Sequence, residues 1–203
     1  MGYHRTGFQV VGVDNQPQPR YPFLFIQGDA LEFLNRNWRH FDAIHLSPPC
    51  QHWTPLHALH RDKEYPTLID KSREAAGATG LPYVIENVMS APLDKTRSIT
   101  LCGGMFGLRT YRHRRFEYGG DLELTAPSHP KHVIRTATKQ RRQRWAEGWH
   151  VSITGDVGTY VGPEAMGIDW MTGNELCEAI PPAYTELVGR QVLAHLQGGE
   201  VAA

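Results

Sequence analysis

The chain is short of several things at once, and each shortage narrows what it can be. It carries no net charge, because 21 Lys and Arg balance 21 Asp and Glu over 203 residues. A bulk basic field that would draw in nucleic acid is missing, so any such surface has to be a local patch. There are only three cysteines, Cys50, Cys102 and Cys177, an odd and widely spaced set. That argues against a disulfide framework and fits a reducing compartment. No apolar run approaches the roughly 20 residues that cross a bilayer, and no signal-peptide pattern is present. Internal repeats and low-complexity blocks are absent too. These absences lead to the expectation of a soluble cytoplasmic protein with no membrane partner. With 40% hydrophobic and 21% charged residues, the chain should fold around a substantial core.

What is present is a pattern of short apolar runs, each closing on a polar or reactive residue. Residues 8–14 and 23–26 read as strands, followed closely by Asp14 and Asp29, with a turn-rich connector at 15–20. Residues 29–38 read as a helix, 41–46 as a third strand, 65–79 as a second helix and 82–88 as a fourth strand. Strands alternating with helices predict an α/β fold, a mostly parallel sheet with helices on both faces. In such sheets reactive groups gather at the C-terminal strand edges, where Asp14, Asp29, Cys50 and Glu86 all fall. The character changes after about residue 118. Residues 119–150 look irregular and hold Lys131, Arg135, Lys139, Arg141, Arg142 and Arg144 beside Trp145 and Trp149. Helical periodicity resumes from Gly173, interrupted at Pro181-Pro182.

The most telling run is Leu46-Ser47-Pro48-Pro49-Cys50-Gln51. Two prolines fix φ, remove two backbone donors and push the preceding residues out of the helical region. A thiol on such a rigid corner at a strand end is presented rather than hidden. Cys50, Glu86 and the Arg112-His113-Arg114-Arg115 cluster then form a coherent set. A thiolate can attack an electron-poor ring carbon, a carboxyl group can bond a ring nitrogen, and a guanidinium can hold a carbonyl or an anion. Read one at a time, each has a plainer use: a buried thiol, a strand-end ion pair, a solvated basic face, or turn carboxylates at Asp14 and Asp29. Cys102 and Cys177 are expected to pack. His52, His57 and His60 lack a cysteine or carboxylate partner at zinc-site spacing, so no metal is expected.

In Pro49-Cys50-Gln51, Glu86-Asn87-Val88, Arg112-His113-Arg114 and Ala179-Ile180-Pro181-Pro182, taken in that order, the chain resembles the DNA cytosine-5 methyltransferases of small phage or actinobacterial type. Pro-Cys alone would not decide it, since thymidylate synthases also use a Pro-Cys nucleophile on a pyrimidine. The resemblance runs from about residue 2 to 196. It implies a Rossmann-like S-adenosylmethionine-dependent methyltransferase sheet, with a catalytic domain at 1–118, a short target-recognition region at 119–157 and a return to the catalytic domain at 158–203. It further implies that Cys50 adds to C6 of a cytosine flipped out of the duplex, while Glu86 contacts N3 and the exocyclic amine. Arg114 and Arg112 would hold the base's O2 and nearby backbone. S-adenosylmethionine would meet Asp14, Asn15, Asp29, Ala30, Pro48 and Ile180. Double-stranded DNA would meet Gln51, Arg135, Lys139 and Arg142, with the protein acting as a monomer in a bacterial or phage-infected cell.

One departure from the family pattern is large. Its opening strand and glycine-rich turn are missing, and residues 1–8 read as the tail of the helix that follows that turn. The sheet is therefore expected to lack a central strand, and the cofactor much of its cradle. Either the true start lies upstream or cofactor binding is impaired. Two other functions stay open beside methyl transfer: a non-catalytic DNA-binding relic, and another cytosine-C5 modification that uses a folate donor.

Overall fold

A computed structural model of the chain describes residues 1–54, 65–137, 142–154 and 158–198. In chain order the elements are α1 (Gly2–Arg5), β1 (Val11–Asp14), β2 (Leu24–Gln27), α2 (Ala30–Asn37), β3 (Ile44–Leu46), α3 (Ile69–Gly77), β4 (Tyr83–Asn87), β5 (Ser98–Leu101), β6 (Arg114–Gly119), β7 (Thr136–Ala137), α4 (Arg142–Ala146), β8 (His150–Val151), α5 (Gly158–Met166), α6 (Gly173–Glu178) and α7 (Pro182–Leu196). The class is mixed α/β, with small sheets and, among the described residues, no closed barrel. No described helix is long and apolar enough to cross a membrane. The strands form three sheets: β1–β2, a four-stranded sheet in the order β3-β4-β6-β5, and β7–β8. The pairs β1–β2 and β3–β4 are parallel, whereas β6 runs antiparallel to β4. β5 and β6 were not foreseen from the sequence. Three of the six residues of β6 are charged (Arg114, Arg115, Glu117), which breaks the apolar alternation that marks a strand.

The described chain divides into two compact units. One comprises Val11–Thr100, Arg114–Ala126 and Gln191–Ala203. Here Asp29 caps α2 by accepting the Glu32 N–H at 2.8 Å, which satisfies one of the donors left over at a helix start. β4 is buried along most of its length because both faces of the sheet are occupied there. Register puts Leu46, Ile85 and Glu117 on one face and His45, Val84, Glu86, Phe116 and Tyr118 on the other. The first face packs on α3, with Ile69, Ile85, Ala91 and Leu93 forming a dry cluster joined by Leu46, Trp53, Tyr83 and Val88. Beside that cluster Arg73 of α3 grips the buried Glu117 with two bonds, Nε–Oε1 at 2.6 Å and Nη2–Oε2 at 2.9 Å. Glu117 also accepts the Asp94 N–H at 2.7 Å. At the end of β6, Gly120 has φ +66°, and a Cβ there would lie 2.1 Å from the Leu81 carbonyl oxygen. Only glycine allows the strand to leave so close to that backbone.

The other unit comprises Met1–Val10, Leu101–His113 and Pro127–Arg190. Its core is Val151, Ile153, Val161, Ala165, Met166, Ile168 and Leu176, with Trp145, Trp170 and Met171 against it. α6 starts on a full capping box, in which Thr172 and Glu175 satisfy each other's backbone N–H groups. Tyr184 of α7 is fully buried, and its hydroxyl donates to the Arg112 carbonyl at 2.9 Å.

Candidate active site at the Pro-Cys corner

The parallel ladder between β3 and β4 ends at Leu46 and Ile85. Pro48 and Pro49 have no N–H with which to extend it, so the chain must turn away. Asn87, two residues past the last pair, secures the turn: its Nδ2 donates to the Pro48 carbonyl at 2.8 Å, with both residues buried. Its Oδ1 accepts the Val88 N–H at 2.9 Å, which fixes which way the amide points. Cys50 follows with φ −95° and ψ −10°, leading a single 3-10 turn (Gln51–Trp53) in which the Trp53 N–H returns to the Cys50 carbonyl at 2.9 Å. The thiol is half-buried on this corner. The sequence expectation of a rigidly presented cysteine therefore has a concrete local cause, two prolines and one asparagine.

Glu86 lies between the last ladder pair and Asn87. Its Oε1 is 3.0 Å from Arg114 Nε, and the two side chains keep only 8% and 14% of their surface exposed. Arg114 opens β6 and shares a sheet face with Glu86, Phe116 and His45, whose ring lies 6.3 Å from that of Phe116. Burial in this setting lowers His45 to about 4, so its ring is neutral near pH 7, and Nε2 lies 3.1 Å from Ser47 Oγ. Cys50, Glu86 and Arg114 are thus set on adjoining strand ends of one unit.

Three buried polar atoms lie near this corner, on Gln51, which the resemblance placed against DNA, on Arg115 of the basic cluster, and on Trp53, to which the sequence gave no role. Gln51 Oε1, Trp53 Nε1 and Arg115 Nη1 are buried with no hydrogen-bond partner among the described residues. Each unmet buried group costs about 1–3 kcal/mol, so native chains keep few of them. Gln51 and Trp53 directly follow the thiol. Among the described residues, an acceptor and a donor thus stand unmatched beside the cysteine. Nothing in the sequence marks Trp53 for this, because its role depends on burial.

Arg112 is placed differently from its neighbour. Its guanidinium donates to three backbone carbonyls, Ala179 at 2.8 Å, Ile153 at 3.1 Å and Cys177 at 2.7 Å. Its own backbone has φ +26°. These bonds tie the β8 exit to the end of α6. Ile180 follows Ala179 and is half-buried at the α6–α7 junction.

The expected cofactor residues sit at the ends of the parallel pair β1–β2. Asp14 Oδ1 accepts the Gln16 N–H at 2.8 Å and Oδ2 accepts Gln18 Nε2 at 3.3 Å. Asn15 is exposed, Asp29 is the α2 cap already described, and Ala30 opens that helix. Of the expected DNA contacts, Gln51 belongs to the corner. Arg135 is exposed, with its guanidinium 5.6 Å from the Trp149 ring, which Arg144 also covers at 4.6 Å. Lys139, like His57, His60 and Arg141, lies outside the described residues, and Arg142 is the first residue of α4.

The second unit holds a feature to which the sequence reading gave no role. Cys102, His113, His129 and His132 bring one sulfur and three imidazole nitrogens within 4.8 Å of one another. Burial raises the Cys102 thiol, opposed by backbone N–H bonds from Gly104 and Met105, while burial and the other two rings lower His113. In comparisons with known proteins, no family model, no curated protein and no solved structure matches this chain.

Proposed function

We propose that the chain is an S-adenosylmethionine-dependent DNA cytosine-5 methyltransferase with a Rossmann-like catalytic sheet. The observation that carries the reading is the Asn87–Pro48 hydrogen bond, which fastens the Glu-Asn strand end to the Pro-Cys corner. Two motifs 36 positions apart, Cys50 and Glu86, are thereby held as one unit.

On this reading the Cys50 thiolate adds to C6 of a cytosine that has left the stack. Electron density moves through the ring toward N3 and O2. Glu86 bonds N3 and the exocyclic amine, and Arg114, held against Glu86, faces O2 and the developing charge. The bound cofactor supplies an electrophilic methyl group to C5. The C5 proton then leaves to a base, and Cys50 departs to restore the ring. Asp14 and Asp29 stand at the ends of two parallel strands, where carboxylates suit the hydroxyls of a ribose and the amine of an adenine. Gln18 holds Asp14 at the long distance of 3.3 Å, a contact that a ribose hydroxyl can replace. No residue is assigned to the methionine end of the cofactor. The basic residues around Arg135 and Arg144 would contact phosphates, and binding should then weaken with salt.

The deciding experiment follows methyl transfer to double-stranded DNA by Cys50→Ala. Methylation should disappear while DNA binding persists, and retained methylation would end this mechanism. Parallel titration with S-adenosylmethionine identifies a relic, which would show no saturable binding. Mass analysis of the product base identifies a folate-derived modification.

A further inference from the structure

We propose that Cys102, His113, His129 and His132 form a tetrahedral zinc site that fastens the irregular segment 127–135 to the ends of two strands. This inference stands apart from the methyltransferase reading and does not depend on it. The geometry is the first argument. Cys102 Sγ lies 3.2 Å from His132 Nε2, His113 Nε2 lies 3.2 Å from His129 Nε2, and all four atoms fall within 4.8 Å. With Zn–S about 2.3 Å and Zn–N about 2.0–2.1 Å, tetrahedral ligands stand roughly 3.3–3.6 Å apart. Both close pairs are within a few tenths of an ångström of such an edge. A soft thiolate with three imidazoles is also the donor set that zinc favours over the hard, oxygen-seeking cations.

The local architecture is the second argument. Cys102 directly follows β5, is fully buried, and begins a 3-10 turn (Gly103–Phe106). The Met105 N–H closes that turn on the Cys102 carbonyl at 3.0 Å, which fixes the backbone that carries the thiol. A Cβ on Gly104 would sit 3.1 Å from Pro130, so the loop carrying two of the histidines presses on this turn. His113 directly precedes β6, and Tyr111 stacks on His132 with ring centroids 3.6 Å apart. The ligands therefore arrive from the exit of one strand, the entry of the next, and a loop.

The third argument is what that loop lacks. Residues 127–135 form no helix or strand and are exposed throughout, and Val133 is 82% exposed. Apolar burial therefore does little to hold the segment. Besides His129 and His132, it is tied by Tyr111, whose hydroxyl bonds both the N–H and the carbonyl of Ile134, and at its end by the Arg135 carbonyl, which accepts the His150 N–H at 2.9 Å. An unstructured stretch held in a defined place needs such a clamp. Four protein ligands close the coordination shell, which marks a structural rather than a catalytic ion.

The test uses the full chain without an affinity tag. Elemental analysis should find one zinc per chain after dialysis against equimolar zinc. Replacement by cobalt should give tetrahedral visible bands together with a thiolate-to-cobalt charge-transfer band. Cys102→Ser should lose the charge-transfer band, whereas Cys177→Ser should keep it. If Cys102→Ser does not fold, His129→Ala at an exposed position serves instead, with zinc affinity expected to fall by about 100-fold or more. Zinc should also suppress tryptic cleavage at Lys131 and Arg135, and a chelator should restore it. A folded wild-type chain that takes up no zinc would overturn the proposal. So would a charge-transfer band that survives Cys102→Ser, or cleavage indifferent to zinc.

Discussion

Glu86 and Glu117 are both buried carboxylates on the four-stranded sheet, both paired with arginine, and they face opposite ways. Their side-chain exposures, 8% and 3%, do not distinguish them. Position does. Glu117 lies behind α3, gripped by both arms of Arg73 and by the Asp94 N–H, and Arg73 reaches on to Asp70 and the Pro92 carbonyl. That network joins α3, β6 and the segment after β4. Glu86 stands one residue past the last β3–β4 pair, beside the cysteine corner, and meets Arg114 through Nε. A buried carboxylate tied into three elements reads as architecture. One at a strand end beside a presented thiol stands where the proposed function needs it.

The strongest way to break this contrast is Glu117→Ala, which leaves the Arg73 charge and the Asp94 N–H without their partner. The expected loss is about 3 kcal/mol, toward the lower end for a severed buried pair because Arg73 keeps about a third of its side chain exposed. Urea denaturation measures it, and a loss below about 1 kcal/mol would remove the distinction. Under the proposed function, the folded fraction should methylate at the wild-type rate. Glu86→Gln should do the reverse, lowering the turnover of folded protein by about 10²–10³-fold, the scale for losing one group that stabilises developing charge. Single-turnover rates with saturating DNA check it, and an unchanged rate would return Glu86 to a structural role.

A smaller effect sharpens the picture of the Glu86 face. His45 titrates near 4 when folded and near its ordinary 6.5 when unfolded. Between those values the unfolded chain binds more protons, so stability falls as pH drops from about 6.5 toward 4 and is fully present above that window. The expected loss is about 2 kcal/mol, below the full gap because the ring retains some water contact. Denaturation midpoints across that range should slope less in His45→Gln, and equal slopes would exclude His45 as the source.

Much of this arrangement can be read locally. The apolar runs before Asp14, Asp29, Cys50 and Glu86 gave β1, β2, β3 and β4 to within a few residues, and Asp29 announces α2 by its cap. What resisted reading depends on distant partners. β6 hides because Arg114, Arg115 and Glu117 look solvated until Glu86 and Arg73 pair with two of them. Arg112 looked like its neighbour Arg114, yet its bonds go to carbonyls more than 40 positions away. The Cys102 cluster was missed because its four ligands come from three separate stretches, without the close cysteine pairs that make a zinc site legible.

The shortness of the strands has a consequence for how this chain behaves in company. The four-stranded sheet ends on β3 and β5, and the smaller parallel sheet has two edges by construction. Such edges invite a neighbouring molecule to add a strand, which is how ordered aggregates begin. Here β3 has three residues, while β1, β2 and β5 have four each. A template that short offers a visiting strand only a few contiguous hydrogen bonds, and at β3 the prolines stop it from growing longer. The corner that presents the thiol also blunts the sheet beside it against self-association.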